Sequence, residues 1–176
     1  GGLVMKKIVA VYTAEALVEP LKRLHKKINT DTELINIVDD SLIQEVIKEG
    51  KVTANVKRRL LKYFEAGIYD IKVDIILNTC SSVGEVVDTA REIYDETPIV
   101  KIDEPMAKKA VKNAKKIGVL ATLPTTLNPT IRLLKKQVDK LNKECEIIEG
   151  LAEGAFKALN EGNEEVARTM AMNVFV

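Results

Sequence analysis

The sequence predicts an α/β protein with mainly parallel sheets, because strand-like and helix-like segments alternate along the whole chain. Short apolar runs, such as residues 7–12, are followed by longer segments whose apolar residues recur at helical spacing. The chain has 176 residues, of which 46% are hydrophobic and 30% are charged. That length and composition suit one domain of good size or two small lobes.

Four strands are predicted in the first half of the chain, each a short apolar run bounded by polar or turn-forming residues. They cover residues 7–12, 33–38, 73–79 and 98–102. A helix is predicted over residues 17–27. Residues 41–67 are predicted as two helices, because Gly50 interrupts them and Val56, Leu60 and Phe64 recur at helical spacing.

Another helix is predicted directly after Cys80. Its apolar face carries Val83, Val86, Val87, Ala90, Ile93 and Tyr94. Ser82 and Glu85 have the spacing of a capping box, so Ser82 is predicted as the N-cap. A further helix is predicted to begin near Pro105, because proline suits the first helical position.

The second half of the chain repeats the alternation. Strands are predicted at residues 117–121, at 146–148 and at 174–176, where a last strand opens. Residues 122–126 are predicted as a loop, and helices are predicted near 153–159 and 164–172. The long helix after the loop has one apolar stripe, formed by Leu127, Ile131, Leu134, Val138 and Leu141.

Composition excludes several classes of function. The net charge of +1 and the 4% aromatic content give no reason to expect nucleic acid or a membrane surface as partner. No apolar run approaches the length of a transmembrane helix. Two cysteines make no disulfide framework and indicate a cytoplasmic protein, and a single histidine leaves little for a triad or a zinc site. No metal site is therefore predicted.

Cys80 is the strongest candidate functional residue. It follows an apolar strand and precedes a helix, where free backbone N–H groups and the helix dipole favour an anion. A thiolate there could act as a base or nucleophile. The alternative is a buried cysteine that behaves as a small hydrophobic residue. The polar neighbours Asn78, Thr79, Ser81 and Ser82 favour the functional interpretation.

Two other polar stretches are predicted at carboxyl ends of strands, the edge where open parallel sheets bind ligands. Thr13 follows the first strand, and Thr122 and Thr125 lie in the 122–126 loop. The alternative for the second stretch is a plain threonine cap with a turn stiffened by proline. Cys145 precedes a strand, at the opposite edge, and is interpreted as structural.

Three segments together resemble the aspartate/glutamate/hydantoin racemase superfamily. They read Asn-Thr-Cys-Ser-Ser-Val-Gly-Glu from Asn78, Pro-Ile-Val-Lys-Ile-Asp-Glu-Pro-Met-Ala from Pro98, and Ile-Gly-Val-Leu-Ala-Thr-Leu-Pro-Thr-Thr from Ile117. The resemblance covers residues 5–176 in the expected order.

The resemblance implies two similar, flavodoxin-like α/β lobes with the active site in the cleft between them. The lobes would span residues 5–103 and 104–176. It implies racemisation of a small carboxylate without pyridoxal phosphate, metal or other cofactor, with Cys80 as a catalytic base and one cysteine on each side of the α-carbon. The substrate-binding residues would be Thr13, Asn78, Thr79, Ser81, Ser82, Thr122 and Thr125. A homo-oligomer is expected, because family members are often dimers or larger.

The chain departs from the family pattern at the second cysteine, which should follow a late strand of the second lobe. The sequence reaches Val176 in what is predicted to be that strand, so the second lobe is predicted to be incomplete there. Cys145 lies too early to replace the missing thiol. Three functions stay open: a racemase or isomerase, a decarboxylase or cis–trans isomerase of the same superfamily, and a carboxylate-binding protein without catalysis.

Overall fold

The computed structural model describes residues 5–175. The chain divides into two compact units, with the boundary between Ile102 and Asp103. Each unit contains parallel strands flanked by helices, so the predicted α/β class is confirmed.

The first unit contains one four-stranded parallel sheet in the order β2-β1-β3-β4. Its strands are β1 (Lys6–Tyr12), β2 (Thr32–Val38), β3 (Ile75–Asn78) and β4 (Ile99–Lys101), and its helices are α1 (Val18–Ile28), α2 (Ser41–Glu49), α3 (Ala54–Glu65) and α4 (Gly84–Ile93). The last four residues of β1 are fully buried, as expected for a central strand of a parallel sheet covered on both faces.

The predicted interruption at Gly50 is confirmed. Gly50 ends α2 with a φ of 66°, in the left-handed region that glycine adopts without steric cost. Thr53 then caps α3 by accepting a hydrogen bond from the backbone N–H of Val56 at 3.1 Å. The Thr53 hydroxyl also donates to Glu45 on α2, so the two helices are joined at this turn.

A π-helical turn, Ala66–Ile71, follows α3 without a break. Its Gly67 lies so close to the sheet that an added Cβ would come within 2.5 Å of the Ile76 side chain and 3.5 Å of the Val9 side chain. Both of those side chains are fully buried. The absence of a side chain at Gly67 therefore allows this turn to pack directly on β1 and β3.

The second unit contains a two-stranded parallel sheet of β5 (Lys116–Ala121) and β6 (Glu146–Leu151). Its helices are α5 (Glu104–Asn113), α6 (Pro124–Leu141), α7 (Ala155–Asn160) and α8 (Glu164–Met172). The buried core joins α5, β5 and α6, and consists of Ala107, Val111, Val119, Ala121, Leu127, Ile131, Leu133 and Leu134. The apolar stripe predicted for α6 therefore faces this core.

Three local predictions are wrong. The strand predicted at 174–176 is a 3₁₀ turn over Asn173–Phe175 that continues α8, while Val176 lies outside the described residues. Val174 packs against a small alanine cluster of α7 and α8, which favours continued helical backbone over a strand. The loop predicted at 122–126 ends at Leu123, because Pro124 already occupies the first helical position of α6. The N-cap of α4 is Val83, and Ser82 lies in the preceding 3₁₀ turn.

We expect Gly67→Ala to lower the free energy of unfolding by about 1–3 kcal/mol, because the new methyl group must displace a fully buried Ile76 side chain. Gly84→Ala is the matched control. An added Cβ there meets nothing closer than 3.9 Å, so we expect no loss, or a gain of up to about 1 kcal/mol. Urea unfolding curves measure both, and equal stability of the two variants would contradict this account of Gly67.

Candidate functional site

Cys80 lies between the end of β3 and a 3₁₀ turn, Ser81–Val83, that leads directly into α4. It is a free, partly exposed thiol, and its backbone is extended. The first N–H groups of a helix have no carbonyl partner four residues earlier, and they carry partial positive charge. The predicted setting of Cys80, at a strand-to-helix junction, is confirmed.

The strand end before Cys80 is held by side-chain hydrogen bonds. The Thr79 N–H and hydroxyl both donate to the Val11 carbonyl of β1, at 3.2 and 2.9 Å. The Asn78 amide donates to the Cys80 carbonyl at 2.9 Å. Because the hydroxyl proton of Thr79 is committed to Val11, that hydroxyl can only accept a further hydrogen bond.

Asn78 also presents a free acceptor. Its side chain is 1% exposed, and Oδ1 is buried without a hydrogen-bond partner. The amide orientation follows from chemistry, because only Nδ2 can donate to the Cys80 carbonyl. Buried polar atoms in native proteins nearly always have a partner, so Oδ1 is an acceptor available to a ligand or to water.

Two of the four buried, unpartnered side-chain atoms among residues 5–175 belong to residues predicted to bind substrate. These four atoms are Tyr12 OH, Asn36 Oδ1, Asn78 Oδ1 and Thr125 Oγ1. Tyr12 ends β1, immediately before the buried Thr13, and burial raises the pKa of its phenol. Of these residues, Tyr12 and Asn78 end strands, Thr125 lies in the first turn of α6, and Asn36 lies inside β2.

The first unit brings most of the predicted residues to one edge of its sheet. Thr13 follows β1, and the run from Asn78 to Ser82 ends β3 and enters the turn before α4. Thr13, Asn78, Thr79 and Ser82 are buried, whereas Cys80 and Ser81 are partly exposed. Neighbouring parallel strands are about 4.8 Å apart, which makes this a compact set of polar groups.

Thr122 and Thr125 belong to the other sheet, that of the second unit. Thr122 follows β5, and Thr125 lies in the first turn of α6. Pro129 lies four residues after Thr125 and has no N–H, so the Thr125 carbonyl cannot receive its usual helical hydrogen bond. The buried Oγ1 of Thr125 has no hydrogen-bond partner either.

Sequence reasoning missed a polar network at the carboxyl end of β2. Asp39 accepts hydrogen bonds from the Ser41 hydroxyl at 2.6 Å, from the Tyr63 hydroxyl at 2.5 Å and from the Arg59 guanidinium. Arg59 also lies 4.0 Å from Glu45 on α2. The Arg59 and Tyr63 positions, four apart on one helix, were the available signal, but nothing local pairs them with Asp39.

The contacts within this network shift the pKa values of Asp39 and Tyr63, among other members. Burial by itself would raise the pKa of Asp39, but the hydrogen bonds from Ser41 and Tyr63 and the charge of Arg59 outweigh burial, so the pKa is lowered. The hydrogen bond to Asp39 and then burial raise the pKa of Tyr63. Asp39 is thus held ionised and Tyr63 protonated at neutral pH.

Cys145 immediately precedes β6, at the amino end of that strand, and its thiol contacts the Ala114 carbonyl at 3.6 Å. This agrees with the predicted position, away from the carboxyl ends of the strands. Within residues 5–175, no three His, Cys, Asp or Glu side chains are arranged to hold a metal ion. No helix in the same part of the chain is both long and apolar enough to cross a membrane.

The chain is thus a parallel α/β protein with a free thiol between the end of a strand and the start of a helix. A comparison with protein families identifies which family of this kind it belongs to. The model of the Asp/Glu/Hydantoin racemase family matches residues 8–175. The protein belongs to this family, as the resemblance predicted. None of the curated protein sequences compared with the chain matches it.

Solved structures of glutamate racemases share the fold. The enzyme from Francisella tularensis subsp. tularensis SCHU S4, in complex with D-glutamate, is 20% identical with a TM-score of 0.63, over 90% of this chain and 57% of that one. The Aquifex pyrophilus enzyme is 20% identical with a TM-score of 0.60, over 82% and 54%. An isoform from Bacillus anthracis is 12% identical with a TM-score of 0.69, over 95% and 62%. The chain thus spans less than two thirds of each of these structures.

We expect the stability contributed by Asp39 to be lost in acid. A carboxyl group whose folded pKa lies below its ordinary value of 3.8 stabilises the protein above that pH, and the contribution disappears as pH falls through the lower, folded value. Asp39→Asn should lower the free energy of unfolding by about 1–3 kcal/mol at pH 7. Below about pH 4, the free energies of unfolding of Asp39→Asn and the unsubstituted protein should become more similar, as measured by denaturant titrations.

Asp40→Asn is the control for this substitution, because Asp40 is exposed and its side chain makes no capping hydrogen bond. We expect it to change stability by less than about 0.5 kcal/mol at either pH. If the free energies of unfolding of Asp39→Asn and the unsubstituted protein differ by the same amount from pH 7 to pH 3, ionised Asp39 does not stabilise the fold as described.

Proposed function

We propose that the protein is a cofactor-independent racemase or isomerase of a small carboxylate, with Cys80 as the group that removes the α-proton. The observation that carries the proposal is a free, partly exposed thiol between β3 and α4, in a chain of the Asp/Glu/Hydantoin racemase family. Amino acids and related acids are the proposed substrate class.

The chemistry follows from the thiol and the hydrogen-bond donors beside it. The Cys80 thiolate takes the α-proton to become a thiol, and the electrons of the broken C–H bond move into the adjacent carboxylate as an enolate. The positive end of the α4 helix dipole suits this developing negative charge. Racemisation is complete when a second acid protonates the opposite face of the planar carbon.

The contacts support different roles for the predicted binding residues. Thr79 holds the strand end, because its hydroxyl proton is bound to Val11. The free Oδ1 of Asn78 is an acceptor and suits a donor such as a substrate ammonium group. Ser81, Thr122 and Thr125 are the proposed hydroxyl donors to substrate carboxylate, with Ser82 and Thr13 supporting them at the strand ends.

The position of Cys145 favours a second candidate function. As the other cysteine of the chain, it lies at the amino end of β6 rather than at the carboxyl end of a strand. A site with one thiol suits decarboxylation or cis–trans isomerisation, or carboxylate binding without turnover, better than racemisation by two thiols. We further propose a cytoplasmic homo-oligomer without nucleic-acid or membrane partners, in keeping with two free cysteines and a net charge of +1.

Proton–deuterium exchange tests the proposed function. Candidate amino acids, dicarboxylates and hydantoins are incubated with the protein in heavy water, and loss of the α-proton signal is followed by NMR. We expect exchange with at least one compound and its reduction by about a hundredfold or more in Cys80→Ala, because the proton acceptor is gone.

Cys145→Ala is the matched control for the exchange experiment and should keep the exchange rate of the unsubstituted protein. Exchange that survives Cys80→Ala, or that fails with every compound, would remove the racemase proposal. If no compound exchanges its α-proton, the melting temperature measured with the same compounds tests carboxylate binding, since a ligand that binds the folded state raises its stability.

We expect Thr125→Val to leave the melting temperature unchanged or slightly raised, because the deleted hydroxyl is buried and has no partner. The same substitution should slow exchange at low substrate concentration by about tenfold or more, the cost of one hydrogen bond to a charged group. Calorimetry and the NMR exchange rate measure the two effects.

Thr130→Val provides the opposite pattern in the same helix. The Thr130 hydroxyl donates to the Thr126 carbonyl at 2.8 Å, so its loss should cost up to about 1 kcal/mol of stability and leave exchange unchanged. If Thr125→Val lowers stability and leaves exchange intact, Thr125 has a structural role and no part in binding.

A further inference from the structure

Lys101 is an unusual residue for its position. It ends β4, the strand at one edge of the four-stranded sheet, yet it is charged and only 4% exposed. Lysine is almost never this buried without a partner, because removing an ammonium group from water is costly. In the sequence, Lys101 is the one charged residue of the otherwise apolar run at residues 98–102.

The side chain of Lys101 runs along α4. Its Cδ lies 3.9 Å from where a Cβ of Gly84 would be, so the stem passes the first residue of the helix. The ammonium then reaches Asp88, one helical turn further on, at 2.9 Å. Lys101 therefore joins the last residue of β4 to the N-terminal half of α4.

Arg91 joins the same two elements further along. Its Nε donates to the Ile99 carbonyl of β4 at 2.8 Å, and its guanidinium lies 3.9 Å from Asp88. Lys101 extends from the strand to the helix, whereas Arg91 extends from the helix to the strand. Arg91 is seven residues beyond Gly84, about 10 Å along the helix axis.

Cys80 lies between two segments that are each fixed to a neighbouring strand of the sheet. Before it, Thr79 is bound to β1 through the Val11 carbonyl, and Asn78 is the register partner of Lys101 in the β3–β4 pairing. After it, the Ser81–Val83 turn passes without a break into Gly84. The position of the main-chain turn that follows the thiol therefore depends on how the beginning of α4 is held against β4.

We propose that Lys101 is a positioning residue for Cys80: through Asp88, it holds the N-terminal half of α4 against β4 and so sets the turn that follows the thiol. This rests on the proposed role of Cys80 in catalysis. Without the ion pair, the beginning of α4 moves away from the strand end and the thiolate loses part of its electrostatic support from main-chain N–H groups.

The test is the pH profile of Cys80 alkylation by iodoacetamide, followed by mass spectrometry, with Cys145 in the same protein as the internal reference. We expect Cys80 to react faster than Cys145 at neutral pH in the unsubstituted protein. Lys101→Met should lower the Cys80 rate at pH 7 by about threefold or more and move its profile to higher pH, while the Cys145 rate stays constant.

Arg91→Met is the matched control, because it removes the other cationic side chain that joins α4 to β4. We expect it to lower the melting temperature and leave the Cys80 profile unchanged. Asp88→Asn is the second variant. The asparagine keeps a side-chain oxygen that can accept from the Lys101 ammonium, so the protein should fold with lower stability, and the Cys80 profile should move in the same direction as in Lys101→Met.

An unchanged profile in both Lys101→Met and Asp88→Asn would overturn the proposal, and so would an equal shift in Arg91→Met, which indicates general loosening of α4. The exchange assay separates this result from the proposed function. If exchange depends on Cys80 but the Cys80 alkylation profile is unchanged in Lys101→Met, only the positioning role of Lys101 is removed. A shifted profile without exchange in the unsubstituted protein supports the positioning role and removes the catalytic one.

Discussion

The hydrogen bonds that Thr79 makes to the Val11 carbonyl are the constraint on which the candidate site depends. Two donors of one residue, the backbone N–H and the side-chain hydroxyl, bind a single carbonyl of the neighbouring strand. They extend the β1–β3 pairing by one residue beyond the Val11–Asn78 register pair. Cys80 is therefore the first residue after β3 that the sheet does not hold, and its thiol lies at the carboxyl edge where parallel sheets bind ligands.

The first unit contains a satisfied polar network at its sheet edge, whereas each unit contains buried side-chain atoms without a partner. Around Asp39, each donor meets an acceptor, which ties β2 to α2 and α3 and makes that corner a rigid support. Asn78 Oδ1 and Thr125 Oγ1 have no partner although they are buried. Proteins retain such atoms chiefly where function requires them. Asn78 ends β3, Thr125 lies in the first turn of α6, and the sequence had marked both residues.

Lys101 shows how a charged residue can be retained in a buried strand. Its partner, Asp88, is partly exposed, whereas the lysine is not. Removal of the aspartate would leave a buried cation, while removal of the lysine would leave a partly exposed carboxylate beside Arg91, so the two substitutions have unequal costs. Burial of the cation fixes the direction of its side chain, which a solvated lysine would not do.

The sequence by itself determined the α/β class, most strand and helix positions, the break at Gly50 and the setting of Cys80. These follow from hydrophobic periodicity and turn chemistry, which act between residues close along the chain. It did not determine the backbone at 174 and 175, where the strand preference of Val174 competes with continuation of the helical backbone of α8.

Only the tertiary structure decided which polar groups meet. Thr79 and Val11 are 68 residues apart, and Arg59 and Asp39 are 20 apart. No local pattern encodes such pairs, because a hydrogen bond depends on distances that exist only after the strands have aligned. The sequence could therefore mark Thr79 as a candidate ligand for substrate, whereas the folded chain directs its hydroxyl proton to a neighbouring strand.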